Sequence, residues 1–227
     1  MNSSSLISGI AAPLPFSNLD TDQIMPKQFL RIVDKAGLDR GLLYDLRFDE
    51  AGQPRADCVL NQPAYAGASI LVAGPNFGCG SSREHAVWGL QQYGIRAVIA
   101  ASFGEIFFFN ALNNGLLLVT LPAADVDALL GQVSAPATHR IQIDVRAGTV
   151  RGAQGWSAAF QLSERHRDMF AHGRDMVGTT LQQLGEIDRY EAAHWARHPW
   201  MRDIAHQVRA RLDAAGPRSA LENRNAT

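Results

Sequence analysis

Residues 68–94 constrain the fold of this chain more tightly than any other stretch. Ala68-Ser69-Ile70-Leu71-Val72-Ala73 is an apolar run of strand length, ended by Gly74-Pro75. The glycine-rich Asn76-Phe77-Gly78-Cys79-Gly80 follows, then a stretch of helical character from Ser81 to Tyr93, closed by Gly94 at a C′ position. The pattern then repeats, with a buried strand over Ile95–Ala101, a helix over Phe103–Leu112 and a third strand over Leu116–Leu121. Strand–helix–strand–helix–strand within about 55 residues demands consecutive crossover connections, which only parallel strands need.

On either side the pattern is weaker. Ile7 to about Leu30 reads as loop, with Ala11-Ala12-Pro13-Leu14-Pro15 and Asn18-Leu19-Asp20-Thr21-Asp22 as its punctuation. Residues 37–66 carry Gly, Pro, Asp and Asn at short intervals and predict a long irregular connection with a short helix near Leu42–Leu46. Residues 123–132 suit a helix, and Arg140–Val145 alternates like a half-exposed strand. Further strands are expected at Thr149–Arg151 and Trp156–Phe160, and helices at Glu164–Ala171 and about Gln182–Arg197. Beyond Pro199 the chain is basic and weakly amphipathic to about Ala214, then polar and frayed from Gly216. With no internal repeat or low-complexity linker, the expectation is one α/β domain over residues 1–200 and a helical, frayed extension over 201–227.

Composition removes several functional classes. A net charge of −1 gives no electrostatic reason to bind nucleic acid or an anionic membrane. No apolar run approaches the roughly 20 residues of a membrane helix, and Met1-Asn2-Ser3-Ser4-Ser5-Leu6 lacks the features of a secretory signal. A cytoplasmic protein is expected. The two cysteines, Cys58 and Cys79, are too few for the usual ligand set of an iron–sulfur cluster, and there is no C-x-x-C pair for zinc. No metal bound by this chain alone is expected.

The chemistry concentrates in Gly78-Cys79-Gly80-Ser81-Ser82-Arg83-Glu84-His85, where a strand passes through a glycine loop into a helix. Helix-start N–H groups point outward with partial positive charge, and glycines let a ligand come close. Two hydroxyls and a guanidinium beside such amides suit a carboxylate, which arginine grips with two parallel hydrogen bonds. The same letters also spell a capping box, with Ser81 at the N-cap and Glu84 at the third helical position. Both readings compete for one Ser81 oxygen unless Gly80 is the cap. The motif is not a dinucleotide fingerprint, because Arg83 stands where the third glycine belongs. Nor does it contain the G-x-S-x-G elbow of a free-standing serine hydrolase.

Gly80-Ser81-Ser82-Arg83-Glu84-His85-Ala86 resembles the signature of the mobile C-terminal domain of aconitases and their relatives. Asp20-Thr21-Asp22-Gln23-Ile24-Met25-Pro26-Lys27-Gln28-Phe29-Leu30 is similar to the N-terminal motif of the 3-isopropylmalate dehydratase (isopropylmalate isomerase) small subunits. Ser102-Phe103, Ile106-Phe107, Asn113-Asn114-Gly115-Leu116-Leu117 and Gly178-Thr179-Thr180-Leu181-Gln182 resemble later segments of that family, so the likeness runs from about residue 7 to 195.

The resemblance implies a single swivelling β/β/α-type α/β domain, a layered mixed sheet with flanking helices. It implies a hydro-lyase active only with a large subunit that carries a [4Fe-4S] cluster, this chain holding no cofactor of its own. The reaction would interconvert 2- and 3-isopropylmalate through isopropylmaleate, in leucine biosynthesis. Ser81 takes the place of the base and Asp22 that of an acidic residue near the reacting centre. Ser82, Arg83 and Lys27 would bind substrate carboxylate, and Leu30, Ile32 and Val33 would offer an apolar wall. His85 is expected to orient its loop rather than bind metal. A small subunit from a hydratase acting on citraconate, dimethylmaleate or a homoaconitate-like acid would carry the same motifs, as would a catalytically silent anion-binding or regulatory protein.

Overall fold

Alternation along four short strands decides the layering. In the computed structural model, which describes residues 5–31 and 36–214, the elements run β1 (Leu6–Leu14), α1 (Thr21–Ile24), α2 (Tyr44–Arg47), β2 (Ile70–Ala73), α3 (Glu84–Tyr93), β3 (Ala97–Ala100), α4 (Glu105–Asn114) and β4 (Leu117–Thr120). There follow α5 (Ala123–Val133), β5 (Arg140–Asp144), β6 (Thr149–Arg151), β7 (Ser157–Ala159), α6 (Glu164–His172), α7 (Met176–Thr180), α8 (Leu184–Arg197) and α9 (Ile204–Ala214). The strands form one seven-stranded sheet in the order β4-β3-β2-β1-β5-β6-β7. β4, β3, β2 and β1 are parallel, and β1, β5, β6 and β7 antiparallel, so the sheet is mixed.

β2 and β3 are buried along their whole length, as a strand covered on both faces must be. Leu71, Ala73, Val98, Ala100 and Leu118 face one core with Val87, Leu90 and Phe107 of α3 and α4. Ile70, Val72, Ala97, Ile99, Leu117 and Val119 face the other, with Val126, Leu129 and Val133 of α5 and Ile141, Ile143 and Val150 of the antiparallel strands. Helices α3 and α4 each end on a left-handed glycine, Gly94 and Gly115, whose N–H groups return to the last turn.

The structure corrects the sequence expectation at β1. Residues 6–14, expected to be loop, form the nine-residue strand on which both halves of the sheet meet. Leu6–Ile10 pairs antiparallel with β5, and Ala11–Leu14 pairs parallel with β2. Pro13 is tolerated for a geometric reason. The Ile10 and Leu14 carbonyls accept from Ser69 and Gly74 on the β2 side, whereas the Ala11 N–H donates to the His139 carbonyl on the other. Pro13, two residues on from Ala11, directs its missing donor to that second side, past the last residue paired with β5.

The chain divides into two compact units, Met1–Thr179 and Thr180–Thr227, earlier than the 200/201 boundary expected from sequence. The first carries the whole sheet. In the second, α8 and α9 bury no residue. Ile32, Val33 and the tail from Gly216 lie outside the described residues.

Ile99 is fully buried between β2 and β4 on the α5 side. Ile99→Ala is expected to lower unfolding free energy by about 2–5 kcal/mol through lost transfer energy and a residual cavity, measured by urea denaturation. A loss below about 1 kcal/mol would contradict this packing.

Candidate functional site

Three loops leave the C-terminal ends of β1, β2 and β3 and meet, in the position where open parallel sheets present ligands. Residues 15–20 follow β1, residues 74–83 follow β2 and residues 101–104 follow β3. The first is laced to the second by hydrogen bonds. Gly78 N–H donates to Leu19 O (2.8 Å), Thr21 N–H to Cys79 O (2.9 Å) and Asn18 N–H to Pro75 O (2.9 Å). The third is laced to the second in the same way, with Phe77 N–H donating to Ser102 O and Gly104 N–H to Phe77 O.

Glycine is required where these loops touch. Gly78 has φ +74°, and a Cβ there would lie 2.3 Å from the Phe107 ring. A Cβ on Gly104 would lie 2.5 Å from Gly78 O, a backbone atom that cannot step aside. The motif's glycines therefore let three chains pack at backbone distance.

Ser81 and Ser82 are exposed on this junction. Neither caps the helix. The N-cap of α3 is Arg83, in extended conformation, and no side chain caps the first turn. The Ser81/Glu84 capping box, the alternative reading of the motif, is thus absent, and Gly80 is not the cap either. Instead the capping box forms one loop away. The Asp20 carboxylate accepts from Gln23 N–H (2.7 Å), and Gln23 Oε1 accepts from Asp20 N–H (3.0 Å) at the start of α1. Leaving α3 uncapped keeps its outward N–H groups available beside Ser81, Ser82 and Arg83.

Arg83 is ion-paired with Asp22, and its side chain is only 17% exposed. Thr21, just 2% exposed, donates its hydroxyl to the Ser81 carbonyl (2.9 Å). The structure therefore brings Ser81, Arg83 and Asp22 together, with Ser82 alongside. Lys27 is exposed in a 3₁₀ turn over Lys27–Phe29 and has no ion pair among the described residues. Leu30 is half-buried after that turn.

Sequence reasoning missed the supports. Thr21 had no signal beyond its place in the motif, although Asp20-x-x-Gln23 is a readable capping box. Asn114 ties α3 to α4. Its Nδ2 donates to Glu84 Oε1 (2.6 Å), its Oδ1 accepts from Trp88 Nε1 (2.9 Å), and its carbonyl accepts from Gln91 Nε2 (2.6 Å). Glu84, at the first position of α3, is thereby spent on structure. His85 packs its ring on Trp88 at 4.8 Å, and no histidine is hydrogen-bonded to Ser81 among the described residues, so a hydrolase dyad is not assembled. His166 is held neutral to lower pH than usual by burial and then by Arg165, and its ring lies 6.1 Å from Phe108.

No group of three or more His, Cys, Asp or Glu among the described residues is placed to hold a metal. The two cysteines are free, half-buried and in different parts of the fold. Cys79 Sγ contacts Asn18 O (3.4 Å) in the loop junction, whereas Cys58 lines a cavity among residues 13–16 and 43–65. This donor set does not fit an iron–sulfur cluster. No helix among the described residues is long and apolar enough to cross a membrane. Beside the junction, an open depression of about 360 Å³ is lined by Ser102, Phe103, Glu105, Phe108 and Phe109. Phe109 of that lining and Ile106, also on α4, are half-exposed.

Comparison with known proteins adds independent findings. Residues 1–124 match the model of the aconitase C-terminal domain, and residues 176–204 match that of the C-terminal domain of the 3-isopropylmalate dehydratase small subunit. The 3-isopropylmalate dehydratase small subunit 1 of Chromobacterium violaceum is 63% identical over 206 residues, 91% of this chain and 97% of the relative. The 3-isopropylmalate dehydratase small subunit of Phenylobacterium zucineum is 49% identical over 84% of this chain and 94% of its own length. A crystal structure of 3-isopropylmalate dehydratase from Methanocaldococcus jannaschii superposes with a TM-score of 0.60 at 26% identity, covering 81% of this chain and 99% of that one.

The Thr21 hydroxyl is the one side-chain tie onto the Ser81 backbone among the hydrogen bonds described above. Thr21→Val keeps the shape and removes that bond, so stability should fall by about 1 kcal/mol. Amide exchange in residues 79–83 should also accelerate. Unchanged exchange there would show that the glycine loop holds its form without this bond.

Proposed function

Because this chain belongs to the 3-isopropylmalate dehydratase small-subunit family, within the aconitase C-terminal-domain group, we propose that it is the small subunit of a heteromeric hydro-lyase interconverting 2- and 3-isopropylmalate through isopropylmaleate. The pathway served is leucine biosynthesis, and the compartment the cytoplasm. The observation that carries the reading is local: an exposed serine hydroxyl stands beside an arginine fixed by an aspartate, at an uncapped helix start.

In the proposed reaction, Ser81 Oγ takes the proton from the carbon next to a carboxylate. The C–H electron pair becomes the new C=C bond as the hydroxyl on the neighbouring carbon departs. Addition of water in the opposite sense, with Ser81 returning the proton, completes the isomerisation. A serine hydroxyl is a weak base unless its alkoxide is stabilised, and the open amides at the start of α3 and the Arg83 guanidinium are groups that stabilise it. Arg83 and Ser82 hold a substrate carboxylate. Asp22 keeps the guanidinium oriented while leaving it donors to spare, since arginine has five N–H groups. Lys27, exposed in the turn after α1, is assigned to a substrate carboxylate by the family motif. Lewis-acid assistance to the departing hydroxyl belongs to a [4Fe-4S] cluster on the large subunit, whose ligand set this chain does not provide. The exposed Ser81 and Ser82, with half-exposed Ile106 and Phe109 on α4, suit a face that is completed by that partner.

The test is reconstitution with the cognate large subunit under anaerobic conditions and an assay across small diacids. Ser81→Ala is expected to lower kcat by about 10²–10⁴-fold with assembly intact. A near-normal rate would refute the base assignment. Arg83→Lys keeps charge but loses the planar fork. KM should rise about thirtyfold, roughly 2 kcal/mol, and an unchanged KM and kcat would remove Arg83 from substrate binding.

A further inference from the structure

A cavity of about 430 Å³ opens in the first unit; Pro15 and Phe16 of the loop after β1 line it, but no residue of the loops 74–83 and 101–104 does. Its walls are apolar: Leu14 and Phe16 at the end of β1, Leu43 and Leu46 around α2, and Val59. Leu14 and Leu43 are buried, and Phe16 is 48% exposed at the edge. The ring of Tyr65 completes the wall while its hydroxyl is spent on the Val133 carbonyl (2.8 Å), so that hydroxyl places no unmet demand on an occupant. Charge is confined to one place. Arg55 and Asp57 also line the cavity, their charged groups 3.6 Å apart and their side chains 47% and 78% exposed.

We propose that this cavity binds a zwitterionic α-amino acid with an apolar side chain, its carboxylate on Arg55, its ammonium on Asp57 and its side chain against Leu14, Leu43, Leu46 and Val59. The volume lies in the range of small-ligand sites, about 300–1,000 Å³, and such sites combine an apolar lining with a few convergent polar groups. The pairing of charges selects the head group. In an α-amino acid the ammonium nitrogen and carboxylate carbon are about 2.5 Å apart across Cα. One head group therefore reaches both members of a pair spaced as Arg55 and Asp57 are. A lone carboxylate would leave Asp57 facing it, and a lone amine would face Arg55, a repulsion in either case. Gln62 also lines the cavity, as does Ser134, whose hydroxyl already donates to the Leu130 carbonyl (2.8 Å). The inference rests on the cavity and its charges, independently of the reaction proposed for Ser81.

Isothermal titration of the full chain with L-leucine and L-phenylalanine tests it, with isocaproate and isoamylamine as single-charge analogues. Saturable binding of at least one amino acid is expected, with each analogue weaker by about tenfold or more. Arg55→Gln and Asp57→Asn change exposed side chains and should each weaken binding by about tenfold or more. Ser134→Trp, which fills the space from an exposed position, should abolish it. No saturable binding of either amino acid would overturn the proposal. So would analogues that bind as tightly, or binding that these variants leave unchanged.

Discussion

Hydrogen bonds between backbone groups of residues 18–21 and 75–79, reinforced by the Thr21 hydroxyl on Ser81, join the loop after β1 to the loop after β2. Everything at the site depends on this seam. It brings Asp22, far from Arg83 along the chain, into an ion pair with it. It also fixes the Ser81 backbone without using the Ser81 hydroxyl. Glycines let the loops close up, because a side chain on Gly78 would collide with the Phe107 ring and one on Gly104, in the loop after β3, with the Gly78 carbonyl.

The parallel half of the sheet was legible in the sequence because its strands are buried on both faces and its helices end on glycines. Ile70–Ala73, Ala97–Ala100 and Leu117–Thr120 fall inside the predicted strands, and α3, α4 and α5 inside or within two residues of the predicted helices. β1 was not legible. Pro13 and Pro15 read as punctuation, and only the register shows that Pro13 turns its missing donor to an unpaired side. Such a fact lives in tertiary structure, beyond the reach of local pattern. The same holds for the start of α3. Ser81-Ser82-Arg83-Glu84 is locally a good capping box, but Glu84 is drawn to Asn114 and the seam holds Ser81 in the preceding loop, so the helix begins at Glu84 with no side-chain cap. The family motifs pointed to Ser81, Arg83 and Asp22, which the structure places side by side. They carried no hint that Thr21 and Asn114 hold the framework.

The helix start is where local stability and function part company. A capped α3 would satisfy one of its orphan N–H groups. The sequence instead caps α1, through Asp20 and Gln23, and leaves α3 open toward Ser81 and Arg83. This open helix start is the local feature on which the role proposed for Ser81 rests. In the proposed division of labour this polypeptide would supply proton handling and carboxylate recognition; its two free cysteines, in different parts of the fold, do not make the ligand set of an iron–sulfur cluster.

The central claim is that the Ser81 hydroxyl handles the proton of the first half-reaction. Rapid mixing of the reconstituted complex with 2-isopropylmalate, followed by the ultraviolet absorbance of the new conjugated double bond, examines that step apart from later ones. A burst of isopropylmaleate is predicted for the native protein and none for Ser81→Ala at saturating substrate. A burst of native rate and amplitude in the variant would contradict the account.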